Sequence, residues 1–66
     1  MPLILNGEAT PLPQPPSVRG LIDSLRLEGQ RVAVELNGAI VPRSLWDTTT
    51  LHTDDRLELV RAIGGG

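Results

Sequence analysis

Apolar and polar residues change period along this chain, and each change marks an element. Leu3-Ile4-Leu5 is a short apolar run followed by Asn6-Gly7. Asn-Gly is the strongest two-residue hairpin signal, because both central positions need positive φ. Glu8 to Leu12 forms the returning strand, and Pro11, which lacks an amide donor, places it at a sheet edge. Pro13-Gln14-Pro15-Pro16 enforces an extended connection. Val18, Leu21, Ile22 and Leu25 then recur at i, i+3, i+4 and i+7, one face of a helix. Ser17 is its N-cap, Gly20 weakens its first turn by ~1 kcal/mol relative to Ala, and Gly29 supplies the stop. A helix of about ten residues cannot stand alone in water and needs a sheet.

Arg31 to Leu36 alternates, with Val32, Val34 and Leu36 on one face and Ala33 and Glu35 on the other. Asn37-Gly38 repeats the turn signal, and Ala39-Ile40-Val41 returns until Pro42. Arg43 to Thr50 is irregular, with one turn around Ser44 to Trp46. His52 to Asp55 reads as a turn. Arg56 to Ala62 alternates again, with Leu57 and Leu59 opposite Glu58 and Val60. The order hairpin, helix, hairpin, loop, strand predicts an α+β domain with the helix across one sheet face. The expected core is Leu3, Leu5, Val18, Leu21, Ile22 and Leu25, with Val32, Val34, Leu36, Leu51, Leu57 and Leu59.

Composition narrows the function classes. The chain has 66 residues, enough for one small domain. With no Cys and one His, thiolate chemistry and a His-based metal site are excluded. A net charge of -2, with six Arg and no Lys, argues against a nucleic-acid partner and a polybasic membrane anchor. The apolar runs fall far short of a span of ~20 residues. No charged segment leads into an apolar stretch at the N-terminus, so a cytoplasmic location is expected.

Side chains offer little catalysis. Asp54-Asp55 reads as a solvated turn pair rather than an acid-base couple. His52 reads as an exposed loop residue, because no nucleophile accompanies it. Trp46, the lone aromatic residue, favours burial against the sheet or its rim over a role as a partner hot spot. The terminal Gly64-Gly65-Gly66 is different. It adds nothing to a core, but it presents an α-carboxylate flanked by residues without Cβ. Ile63 to Gly66 reaches about 13–14 Å when extended, enough to enter a narrow tunnel. A carboxylate becomes an electrophile once activated as an acyl-adenylate. The competing reading is a trailing tail or an expression remnant.

Val32 to Arg43, then Trp46, Leu51 and Arg56-Leu57-Glu58-Leu59-Val60-Arg61-Ala62-Ile63-Gly64-Gly65, resembles the ThiS sulfur carrier family of thiamin biosynthesis, as does Ile4-Leu5-Asn6-Gly7-Glu8. The resemblance covers nearly the whole chain and is most specific in its C-terminal half. It implies a ubiquitin-like β-grasp fold, a mixed sheet of four to five strands on one helix, with the first and last strands parallel at its centre. Residues 1–62 would form the domain and residues 63–66 a flexible tail. It further implies a protein cosubstrate, not an enzyme, with no bound cofactor. A ThiF-type adenylyltransferase would use MgATP to adenylate the terminal glycine. A cysteine desulfurase or other persulfide donor would supply sulfur, and a ThiG-type thiazole synthase would consume the thiocarboxylate. Gly66 would carry the sulfur, with Gly64 and Gly65 presenting it.

Two departures stand out. The family usually has Gly-Asp where this chain has Asp54-Asp55; Asp tolerates left-handed backbone better than most residues. The family commonly ends in two glycines, and this chain ends in three, so Gly66 or Gly65 carries the reactive carbon according to whether the third is native. For partner binding, Ala33, Ile40, Val41 and Val60 form an expected outward apolar patch, with Ile63 at the root of the tail. Alternatives are a MoaD-like carrier for molybdopterin, a ubiquitin-like modifier, or a β-grasp interaction module with an incidental tail.

Overall fold

Both Asn-Gly dipeptides turn the chain back on itself as their chemistry demands. Asn6 and Gly7 have φ of 49° and 85°, and Asn37 and Gly38 have 52° and 88°. The computed structural model describes residues 2–61. β1 (Leu3–Leu5) and β2 (Glu8–Thr10) form the first hairpin; β3 (Val32–Leu36) and β4 (Ala39–Ile40) form the second. β5 (Arg56–Arg61) runs between them, parallel to β1 and antiparallel to β3. The order β2-β1-β5-β3-β4 is the expected mixed sheet with the first and last strands at its centre. β2 is an edge strand and ends at Thr10, just before Pro11.

Helix α1 (Val18–Ser24) covers one face of this sheet. Its orphan amides are all answered, which explains how so short a helix persists. The Val18 N–H donates to the Thr49 carbonyl and the Arg19 N–H to the Trp46 carbonyl, both at 3.0 Å. Gly20 donates to Ser17 Oγ, also at 3.0 Å, so Ser17 is the N-cap. Gly20 is required by space: a Cβ there would run into the Pro15 carbonyl oxygen.

The helix stops earlier than Gly29 suggests. Leu25 is its C-cap, and Arg26 takes the left-handed conformation with φ 59°. Arg26 N–H donates to Asp23 O, and Leu27 N–H to Ile22 O. These are the paired bonds of a Schellman motif, formed without its usual glycine. Leu25 consequently leaves the expected core and is 39% exposed, while Leu27 packs against the core instead.

The core is small. Leu3, Val34 and Leu57 of the sheet meet Val18, Leu21 and Ile22 of the helix, and Trp46 and Leu51 complete the cluster. Leu5, Val32, Leu36 and Leu59 pack at its margin, partly buried. Trp46 sits after a 3-10 turn (Arg43–Leu45) and is buried, as its bulk predicted. Its indole N–H donates to the Val41 carbonyl at 3.1 Å. The Arg43 and Arg19 guanidinium groups lie over the ring, 5.2 and 5.6 Å from its centroid. Contacts of this kind contribute about 0.5–1 kcal/mol each at exposed sites. Among the described residues, no helix is long and apolar enough to cross a membrane.

Candidate functional site

β5 places the site. Inward Leu57 is buried and Leu59 half-buried, so Glu58 and Val60 fall on the face away from the helix. The antiparallel register with β3 sets Val60 opposite Ala33 and Glu58 opposite Glu35. β4 then sets Ile40 beside Glu35. Val60 is 63% exposed and Ile40 69%. Exposed valine and isoleucine on a sheet face that the alternation would normally fill with polar groups make an exposed apolar surface among the described residues. Ala33 and Val60 share an open groove of about 390 Å³, rimmed by Arg31 and Arg43.

Not every expected contact residue joins this face. Val41 is half-buried and packs against the core, because the alternation that turns Ile40 outward turns its neighbour inward. Ile63, Gly64, Gly65 and Gly66 lie outside the described residues, so the patch here consists of Ala33, Ile40 and Val60.

The two asparagines of the hairpin turns hold β5 from both sides. Asn6 Oδ1 accepts the Leu59 N–H at 2.9 Å, and Asn37 Oδ1 accepts the Arg56 N–H at 3.0 Å. Asn37 Nδ2 also donates to Asp55 Oδ1 at 3.1 Å. Asp55 Oδ2 in turn accepts the His52 N–H at 2.8 Å. Asp55 therefore closes a turn, and Asp54 supplies its left-handed position with φ 69°. His52 is exposed and approaches Asp55 Oδ2 through Nδ1 at 3.7 Å, with no nucleophile in the arrangement. Among the described residues, no three His, Cys, Asp or Glu side chains are grouped to hold a metal ion. These residues build the turn that launches β5.

The facing of Glu35 by Glu58 was not legible from the sequence, although the alternation placed each on an outward face. The pairing depends on register, and register emerges only when both hairpins dock on β5.

The same architecture appears in known proteins. A thiamine biosynthesis protein, ThiS, from Geobacter metallireducens superposes with a TM-score of 0.80 at 32% identity, covering the whole of both chains. The protein ycf40 of Pyropia yezoensis, itself uncharacterised, is 39% identical over 62 residues, 94% of this chain and 87% of its own. A thiazole synthase of Paramagnetospirillum magneticum is 38% identical over all 66 residues, which span 20% of that longer protein. The ThiS family model matches residues 3–66. With sequence and fold agreeing over nearly its full length, this chain belongs to the ThiS family, the sulfur carriers of thiamin biosynthesis.

Proposed function

We propose that the chemistry of this carrier resides on its main chain at Gly66. A Gly66 carboxylate oxygen attacks the α-phosphorus of ATP, held as MgATP by a ThiF-type adenylating enzyme, and pyrophosphate leaves. A persulfide sulfur from a cysteine desulfurase or similar donor attacks the acyl carbon, and AMP leaves. A second thiol then cleaves the S–S bond, forming a disulfide with the donor sulfur and releasing the thiocarboxylate. A ThiG-type thiazole synthase takes that sulfur into the thiazole ring. The domain contributes a handle and no catalytic side chain.

The observation that carries this reading is the family match, which runs through Gly64-Gly65-Gly66. A thiazole synthase also holds a segment 38% identical to this whole chain, which supports a carrier and synthase that work together.

The experiment is an intact-mass measurement after incubation with the adenylating enzyme, MgATP and a sulfur donor. The expected result is replacement of one oxygen by sulfur, localised to Gly66 by fragmentation. Deleting Gly66 alone assigns the register: full conversion on Gly65 would show that the family's two-glycine ending is the working one. Deleting Gly64 to Gly66 should abolish conversion. An unchanged mass with an enzyme set active on another carrier overturns the proposal.

A further inference from the structure

Gln30 is tied to three parts of the fold at once. Its N–H donates to the Leu27 carbonyl at 2.9 Å, and Leu27 packs against the core just past the end of α1. Its carbonyl accepts from Arg43 Nη2 at 3.1 Å, and the Arg43 guanidinium lies over the buried Trp46 ring. Its side-chain oxygen, Oε1, accepts from Arg61 Nη2 at 3.2 Å. Arg61 is the last residue of β5, paired with Val32 in the terminal step of the β3–β5 ladder. The alternation that turns Leu57 and Leu59 toward the helix turns Arg61 to the same side, away from the outward face that carries Val60. A strand end has low local stability and frays. Here a side chain whose own backbone is bonded at both its N–H and its carbonyl reaches across and holds that end.

We propose that Gln30 and Arg61 are positioning residues for the reaction at Gly66: their hydrogen bond fixes the end of β5, and with it the point and direction from which the reactive terminus is presented. The inference rests on the carrier reading above and adds to it the residues that aim the terminus. Gly66 lies five residues beyond Arg61 in the sequence. Gly64 and Gly65 stand between them, and glycine restrains its own backbone less than any other residue. A rotation at the strand end is therefore carried along the chain, at roughly 3.3–3.6 Å of reach per residue. Misplacing a reacting atom by about 1 Å removes a large part of a rate that depends on orientation. Glycines cannot supply that order, so it comes from the last side chain anchored to the fold. Among the described residues that side chain is Arg61. Its guanidinium is always charged, which strengthens the bond to a neutral amide oxygen. The bond is exposed, so it tunes the rate rather than switching it.

The test is a double-mutant cycle on the full chain: R61A, Q30A and R61A/Q30A, with Q30E as the variant that keeps an acceptor for Arg61. Adenylation is followed as pyrophosphate release over a range of carrier concentrations. NMR relaxation of the free carrier reports the backbone order parameter at Arg61, and thermal unfolding reports stability. Each single variant should lower kcat by about three- to fivefold, the range that one exposed charge-assisted hydrogen bond supports. KM should stay near wild type, and the double variant should be no worse than either single one. Q30E should keep the wild-type kcat, and the order parameter at Arg61 should fall in Q30A. Losses that add in the double variant, or that fall on KM rather than kcat, make Arg61 a partner contact and overturn the inference. A Q30A chain with lower order at Arg61 and an unchanged rate overturns it too, as does a kcat that falls only in step with Tm. If wild type is not adenylated by an enzyme active on another carrier, the carrier reading fails and takes this inference with it. Wild-type turnover with insensitive variants overturns this inference alone.

Discussion

The Asn6 side chain forms a reciprocal pair with the backbone of Leu59, 53 residues away: its Oδ1 accepts the Leu59 N–H at 2.9 Å, and its Nδ2 donates to the Leu59 carbonyl at 3.4 Å. β1 ends at Leu5, so a side-chain amide here extends the ladder one step along β5. The same residue has φ 49° in the hairpin turn. One asparagine thus sets the first turn and anchors the strand that leads to the chain end.

Two substitutions separate these roles. Asn6→Gly keeps the left-handed turn and loses the side-chain pair, which at an exposed site should cost about 0.5–1.5 kcal/mol. Asn6→Ala loses the pair and also places a Cβ at positive φ, adding roughly 1–2 kcal/mol. Urea unfolding of the three proteins should rank wild type, Asn6→Gly, Asn6→Ala in falling stability. Equal stability of the glycine variant and wild type would show that the pair contributes nothing in solution.

The strand order was legible because its signals are local. Asn6-Gly7 and Asn37-Gly38 specify hairpins, alternation specifies faces, and the resemblance supplied the parallel pairing of β1 and β5. The helix end was not legible, because it turns on a backbone conformation that Arg26 does not advertise. Gly29 looked like the stop and does have φ 83°, but the chain had already left the helix. Gly20 looked like a weakness in the first turn. Its cause is the Pro15 carbonyl, brought close by a prolyl segment whose path no periodicity reveals. Val41 was misplaced for a related reason: a residue just past a two-residue strand follows the alternation inward to the core, although its neighbour is among the most exposed.

Gly20→Ala tests the crowding directly. Helix propensity alone favours alanine by about 1 kcal/mol. Overpacking against backbone opposes it, at about 1–3 kcal/mol. Because the obstacle is the Pro15 carbonyl rather than a flexible side chain, we expect a net loss of roughly 1–2 kcal/mol. Thermal unfolding that rose instead would mean the prolyl segment yields freely.

Left-handed backbone at Arg26 and Asp54 offers the opposite opportunity. Both residues adopt positive φ, at 59° and 69°, where glycine has no Cβ penalty. Arg26→Gly completes the Schellman motif in its usual form, and Asp54→Gly gives the turn the glycine usual in the family. Added freedom in the unfolded chain offsets part of each gain, so each should stabilise by up to about 1 kcal/mol. The two sites share no described hydrogen bond, and their effects should add. Asp54→Ala should instead destabilise, which a parallel denaturation series would reveal.

Val60→Asp addresses the apolar face. Val60 is 63% exposed and points away from the core, so the change should leave stability within about 0.5 kcal/mol of wild type. A carboxylate there would extend the acidic end of the face into the groove shared with Ala33, replacing an apolar contact with a charge that must be desolvated on docking. Adenylation, followed as pyrophosphate release with the partner enzyme in excess, should fall by about tenfold or more, in line with 1.4 kcal/mol or more of lost binding. Val60→Ile, which keeps the apolar character, should stay near wild type. A folded Val60→Asp protein that is adenylated normally would remove this face from the partner's footprint, and an unfolded one would place Val60 in the core.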